Sequence, residues 1–242
     1  MVICVECGRD IKALYREFSR GNIWLSHCPH CGEIADKYVE LEAHIVFIDL
    51  VLHRVQAYRH MLFNRHLVRI GKDSLKFLAV IFAFDSFDKW FKLQDRELER
   101  PWEEFTRWLR PHPDQWIIPA CAIFETVVYL SIVCFLVNIL VKAKNPKRSV
   151  DYRFLLSTVI FSCFSKLGVL LWMVWDAPAL HRKVISWFTI TSNIVAVQVF
   201  LRTKSYIEPT MVVMGGFLAK SLAGYWLVET KNRLIVQALS GQ

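Results

Sequence analysis

The sequence predicts an all-α polytopic membrane protein, with four to five transmembrane helices, that carries a small zinc ribbon at its N-terminus. Two observations predict this architecture. Two Cys-x-x-Cys-Gly motifs lie at the start of the chain, at residues 4–8 and 28–32. Several long apolar segments follow, in a chain of 242 residues whose hydrophobic share is 54%. A metal-stapled module belongs in water, whereas apolar segments of about 20 residues belong in lipid.

The two motifs supply the ligands of a predicted structural zinc site: Cys4, Cys7, Cys28 and Cys31. Structural zinc takes four tetrahedral ligands, and a Cys-x-x-Cys turn presents two sulfurs to one ion. Four thiolates leave no open coordination position, so the predicted Zn²⁺ takes no part in catalysis. Two matched pairs favour a metal site over a redox dithiol, and thiolate ligands indicate a reducing, cytosolic environment. His27 and His30 flank the second pair and are expected to lie outside the ligand set.

The chain before the apolar segments is predicted to contain a ribbon and a helix. Residues 1–40 form the ribbon, in which runs at 13–18 and 22–26 pair as a β-hairpin. Residues 41–66 form an amphipathic helix with apolar residues at steps of three and four: Leu41, Ile45, Ile48, Leu52 and Val55. This helix either lies in the interface of an anionic leaflet or packs on the ribbon or the membrane bundle, and the sequence leaves both placements open.

Residues 67–242 are predicted to form the transmembrane domain. Four apolar segments are long enough to span a membrane, at residues 116–141, 154–175, 184–201 and 206–228. Residues 75–93 include charged side chains and form a weak span or a re-entrant element. The connector at residues 142–153 is rich in lysine and arginine and is therefore predicted to be cytosolic. A cytosolic ribbon and connector require an even number of crossings between them, which favours crossing by residues 75–93.

Three charged residues fall inside the apolar segments: Glu125, Lys166 and Lys220. Such residues are costly in hydrocarbon and usually face a bundle interior or an aqueous cavity. Glu125 and Lys166 are predicted to pair between neighbouring spans. Two interpretations stay open for the three residues, a polar site that contacts a lipid or a partner and a purely structural set of interhelical contacts.

The sequence contains none of the motifs that would indicate an enzyme. A Gly-rich phosphate loop, a nucleophile elbow and an HExxH motif are all missing. We therefore expect no enzymatic activity and assign no catalytic residue. The net charge of +8 fits either nucleic acid or an anionic membrane surface. The apolar segments favour the membrane, so no nucleic-acid partner is expected.

A set of short motifs in the first 64 residues has a distinctive order and spacing. Besides the two cysteine pairs, it comprises Leu-Tyr-Arg at residues 14–16, Asp-Lys-Tyr-Val-Glu at 36–40 and Gln-Ala-Tyr-Arg-His-Met-Leu-Phe-Asn at 56–64. Thr-Ser-Asn at residues 191–193 adds a weaker match. Together these motifs resemble the ARV family (ACAT-related protein required for viability).

The resemblance implies a multi-pass protein of the endoplasmic-reticulum membrane, in which the ribbon and the helix after it form a cytosolic zinc-binding homology domain. It also implies roles in sterol transport, in sterol and sphingolipid balance and in an early step of GPI-anchor synthesis. We therefore expect a non-enzymatic protein that mediates intracellular sterol transport, with membrane lipids (sterol and GPI intermediates) as partners. The alternative is an accessory subunit that binds the GlcNAc-phosphatidylinositol transferase and promotes the first steps of GPI-anchor biosynthesis.

Overall fold

The computed structural model describes residues 2–19, 22–65, 72–95, 117–147, 149–168 and 178–240. The chain divides into two units. The first unit comprises Met1–Ser74, Val150–Ser165 and Ser186–Thr210, and the second comprises Leu75–Ser149, Lys166–Ile185 and Met211–Gln242. The described chain is mostly helical, as the sequence predicts, and its strands lie near the N-terminus.

The ribbon consists of two antiparallel pairs of strands. β1 (Val2–Ile3) pairs with β2 (Asp10–Ile11), and β3 (Tyr15–Ser19) pairs with β4 (Asn22–Leu25). The predicted hairpin is confirmed by the second pair. β3 is exposed along its whole length, so the hairpin contributes little apolar core. A module of this size needs another source of folding free energy, and a metal is the usual one.

Seven α-helices follow the ribbon in the described chain: α1 (Ala43–Val51), α2 (Val55–Arg59), α3 (Lys72–Asp95), α4 (Ile117–Lys144), α5 (Tyr152–Ser162), α6 (Pro178–Leu201) and α7 (Ile207–Ser240). Two of them contain a stretch that is long and apolar enough to cross a membrane, Ile118–Lys144 in α4 and Lys183–Leu201 in α6. These stretches coincide with the spans predicted at residues 116–141 and 184–201.

The other three predicted spans are shorter or more polar among the described residues. The apolar stretch of α3 is Leu78–Phe87, which is shorter than a span requires. The span predicted at 154–175 begins as α5 but continues from Cys163 to Gly168 as a 3₁₀ helix, and residues 169–175 lie outside the described chain. α7 covers 206–228 but contains several charged residues. The total of four to five spans therefore stays a prediction.

The prediction of a single helix over residues 41–66 is wrong, because this region forms three shorter helical segments. α1 ends at Val51, α2 begins at Val55, and the turn His60–Asn64 is π-helical. The break arises because His53 has a φ of 57°, in the left-handed region that a right-handed helix does not contain. Asp49 stabilises the break, since its backbone carbonyl accepts from the Arg54 N–H at 2.9 Å.

Within the first unit, α1 packs against the 3₁₀ helix that follows α5, and α2 packs against α6. The Tyr58 hydroxyl lies 2.8 Å from the Ser192 hydroxyl, and the Phe47 ring makes an edge contact with the Phe164 ring at 6.2 Å. These contacts support the prediction that the segment packs on other helices. One apolar face stays exposed in this structure, with Ile48 and Leu52 exposed to 52% and 58%.

Within the second unit, α7 lies close to α4 at Gly216. A Cβ placed on Gly216 would lie 2.8 Å from the Tyr129 ring and 2.9 Å from a Val133 methyl group. These distances are well below van der Waals contact, and both neighbours belong to α4. A residue without a side chain at position 216 therefore allows α7 to pack closely against α4.

We predict that Gly216→Val destabilises the second unit by about 1–3 kcal/mol, because the added side chain must push α4 away from α7. Thermal unfolding of the purified protein in detergent measures the effect. Ser221→Val is the matched control, since Ser221 is exposed on the same helix and its hydroxyl bonds only to the Phe217 carbonyl. Equal melting temperatures for the two variants would contradict the close packing.

Candidate metal centre and charged cluster

The four predicted zinc ligands converge in the ribbon. Their Sγ atoms all lie within 4.8 Å of one another. The Cys4 and Cys31 sulfurs are 3.7 Å apart, as are those of Cys7 and Cys28. A tetrahedral site with zinc–sulfur bonds of about 2.3 Å has sulfur–sulfur edges of about 3.8 Å. The arrangement is therefore compatible with one tetrahedral zinc ion.

Both cysteine turns depend on the glycine that follows them. The Gly8 N–H donates to the Cys4 carbonyl and the Gly32 N–H to the Cys28 carbonyl, each at 2.9 Å. The φ angles of these glycines are 73° and 78°, which side chains with a Cβ rarely adopt. The tight turns bring both sulfurs of each pair to the same side of the chain.

The thiols differ in how readily they ionise. Burial raises the pKa of the Cys4 thiol to about 12. Burial acts in the same direction on Cys28, but backbone N–H groups, including that of His30 at 3.5 Å from the sulfur, bring its pKa down to about 7. The thiolate is the form that coordinates zinc, so a bound cation would oppose the effect of burial on Cys4.

The two histidines near the second pair have other partners. His27 Nδ1 lies 3.0 Å from the Gly32 carbonyl, and His30 Nδ1 lies 3.3 Å from an Arg9 nitrogen. Their ring nitrogens therefore bond outside the cluster of sulfurs, and four cysteines suffice for the predicted ligand set.

Arg59 connects α2 to the first cysteine turn, and sequence reasoning did not assign it a role. Its Nη1 donates to the Val5 carbonyl at 2.8 Å and to the Glu6 carbonyl at 2.6 Å. A Cβ on Gly8 would lie 3.3 Å from the Arg59 Cζ, so the guanidinium lies directly against this turn. Burial lowers the pKa of Arg59, and ionised sulfurs at Cys4 and Cys7 oppose that shift. The only signal in the sequence is its place inside the motif at residues 56–64.

A second connection joins β1 to the turn after α2. The Asn64 Oδ1 accepts from the Ile3 N–H, and its Nδ2 donates to the Ile3 carbonyl, both at 2.9 Å. Asn64 Nδ2 also donates to the Asp36 carboxylate at 2.7 Å, and His60 Nδ1 donates to the same carboxylate at 2.7 Å. Asp36 is fully buried, and these hydrogen bonds offset the free-energy cost of burying its carboxylate.

The charged residues predicted in the membrane lie in the second unit, but the predicted pair between Glu125 and Lys166 is not formed. Lys166 pairs with Asp85 at 2.6 Å, and Lys220 lies 3.8 Å from the same carboxylate. Glu125 pairs instead with Lys89. The pairing differs from the prediction because α3 supplies closer partners. Asp85 and Lys89 are one helical turn apart on α3, so the same face of that helix supplies a partner for each predicted residue.

The sequence matches a protein family and several known proteins over most of its length. A sequence model described as the Arv1-like family matches residues 3–197. The chain is 37% identical over 231 residues to "Protein arv1 homolog" of Dictyostelium discoideum, which covers 91% of this chain and 93% of that protein. It is 30% identical over 226 residues to "Protein ARV1" of Mus musculus, covering 92% and 82%. No solved structure matches.

We predict that the double variant Cys28→Ser, Cys31→Ser loses bound metal and unfolds residues 1–40, because two remaining thiolates cannot complete a tetrahedral site. Elemental analysis and limited proteolysis of the ribbon measure the two effects. Cys134→Ser is the control, since Cys134 lies in α4. A metal-free double variant whose ribbon resists protease like the wild type would contradict a structural metal.

Asn64→Ala is expected to destabilise the ribbon by about 1–3 kcal/mol, because it leaves both polar groups of Ile3 without their side-chain partner and removes one hydrogen bond from the buried Asp36 carboxylate. Hydrogen exchange at the Ile3 amide reports the change directly. Asn145→Ala, at an exposed position after α4, is the matched control. Unchanged exchange at Ile3 would show that Asn64 does not hold β1 in place.

Proposed function

Because the chain belongs to the Arv1-like family, we propose that it is a non-enzymatic, multi-pass protein of the endoplasmic-reticulum membrane that mediates intracellular sterol transport and sterol and sphingolipid homeostasis. The observation that carries the proposal is the charged cluster of Asp85, Lys166 and Lys220. Its side chains are largely buried among helices that carry apolar surface, at 15%, 13% and 24% exposure. A lipid with a small polar group needs such a partner when its apolar body contacts helices.

In this proposal the ribbon has a supporting role. Cys4, Cys7, Cys28 and Cys31 hold a structural Zn²⁺ that stabilises the ribbon fold on the cytosolic side. What supports zinc is the spacing of the four sulfurs, which fits a tetrahedral site. Arg59 and Asn64 then couple the folded ribbon to the turn after α2.

The test is sterol transfer between vesicles by the purified, reconstituted protein. We predict that Lys166→Gln slows transfer about tenfold or more, the effect of losing one contact of about 1.4 kcal/mol. Lys183→Gln, which removes an exposed lysine of α6, serves as the control and should leave transfer unchanged.

A charge-swapped variant, Asp85→Lys with Lys166→Asp and Lys220→Asp, separates a lipid-binding role from a structural one. Lys220 is changed as well because it lies 3.8 Å from the Asp85 carboxylate and would otherwise face a like charge. The swap keeps an ion pair between the two helices but reverses which helix presents the carboxylate. If the cluster binds lipid, transfer stays slow although the protein folds normally. Recovery of wild-type transfer in the swapped variant would assign the pair a structural role and count against the proposal.

A second function has support from one observation. Phe18 and Trp24 form an aromatic pair on the β3–β4 hairpin, with their rings 6.0 Å apart and exposures of 67% and 69%. Exposed aromatic residues are enriched in protein interfaces, which fits an accessory subunit of the GlcNAc-phosphatidylinositol transferase. Stoichiometric co-purification with that enzyme, lost in Phe18→Ser with Trp24→Ser, together with no sterol transfer by the protein alone, would favour this second function.

A further inference from the structure

A cavity of about 460 Å³ opens in the first unit between the first cysteine turn and the chain that follows α6. Four of the side chains that line it are cationic: Arg9, Arg59, Arg202 and Lys204. They come from three separate parts of the sequence, the ribbon, α2 and the turn after α6. The fold is therefore what brings these charges together.

The acidic groups near the cavity already have partners. Glu6 is the carboxylate that lines it, and Glu6 lies 3.5 Å from the Lys37 ammonium and 3.1 Å from the Gln56 amide. Asp10 pairs with Arg202, at 3.1 Å and 3.3 Å. The lining of the cavity therefore contains four cationic side chains and one carboxylate, which is itself paired.

The cationic side chains of the cavity differ in the groups that they contact. Arg59 lies against the Gly8 turn and offsets part of the negative charge that four thiolates would bring. Arg9 contacts a histidine ring. Within the part of the chain that the structure describes, the contacts of Arg9 and Lys204 include no carboxylate, so both are available to a ligand.

The position of the cavity indicates where its ligand comes from. The turn after α6 lines it with Val199, Arg202, Thr203 and Lys204. This turn directly follows Leu201, where the apolar stretch Lys183–Leu201 ends. A stretch of that length matches the hydrocarbon thickness of a bilayer, so its end lies at the level of the lipid headgroups. Arginine and lysine side chains at this level bind phosphate oxygens well.

We propose that this cavity binds a phosphate group, and that the group belongs to the headgroup of an anionic membrane phospholipid. The site lies in the first unit and goes beyond the proposed sterol transport, which depends on residues of the second unit. Its role is to hold the ribbon at the membrane surface through a specific lipid contact. Zinc content and sterol transfer, measured on the same preparations, keep a failure of this proposal separate from a failure of the proposed function.

The test uses the full-length protein in phosphatidylcholine nanodiscs titrated with phosphatidic acid, with bound lipid counted by native mass spectrometry. The variant is Arg9→Gln with Lys204→Gln, which removes two cavity cations. Its affinity for phosphatidic acid should fall about tenfold or more, given about 1 kcal/mol for each cation near an anionic surface. Lys12→Gln with Arg16→Gln is the matched control, because it removes the same charge from exposed positions of the ribbon outside the cavity.

Soluble competitors distinguish the source of the phosphate. Displacement of the lipid by glycerol 3-phosphate only at much higher concentration supports a lipid headgroup, whereas inorganic phosphate that binds as tightly as the lipid supports a phosphate site filled from solution. Equal loss of affinity in the two double variants would overturn the proposal, since it indicates a diffuse surface charge. Loss of zinc from the cavity variant with unchanged lipid affinity would also overturn it, because the cations would then only neutralise the thiolates.

Discussion

One short segment, residues 59–64, makes six of the side-chain hydrogen bonds that join the ribbon to the rest of the first unit. Arg59 bonds to two carbonyls of the first cysteine turn. Asn64 bonds to both polar groups of Ile3, and His60 shares the buried Asp36 carboxylate with Asn64. A metal can hold the two cysteine turns together, but it does not orient the ribbon relative to the helices of the first unit. These hydrogen bonds do, and they also place Arg59 at the edge of the basic cavity.

The second unit meets a different constraint, because it buries ionised groups among apolar helices. The desolvation cost of a buried charge is several kcal/mol, and an opposite charge at hydrogen-bond distance recovers most of it. α3 provides this balance from one face, with Asp85 for Lys166 and Lys220 and with Lys89 for Glu125. The helix with the weakest apolar pattern thus supplies the counter-charges of all three charged residues that the sequence analysis singled out.

The sequence predicted the cluster of four cysteines, the hairpin and the two most apolar helices, because each depends on local pattern: paired cysteines, a turn between two runs, and continuous hydrophobicity. The family resemblance is confirmed as well. The break at His53 was not predictable, since a left-handed residue other than glycine leaves no mark in apolar periodicity. The partner of Lys166 was missed for another reason. Charge spacing shows that a partner is needed, but only the packing of helices distant in the sequence shows which one.

The long-range contacts of the first unit have a consequence for folding during synthesis of the chain. Tyr58 meets a residue 134 positions later, and Asp10 meets one 192 positions later. At a synthesis rate of about 5–20 residues per second, roughly 10–40 s pass between the synthesis of Asp10 and the synthesis of its partner, Arg202. During that interval only local interactions can hold the ribbon together, and a metal bound by the four cysteines is one of them, because all four come from residues 4–31.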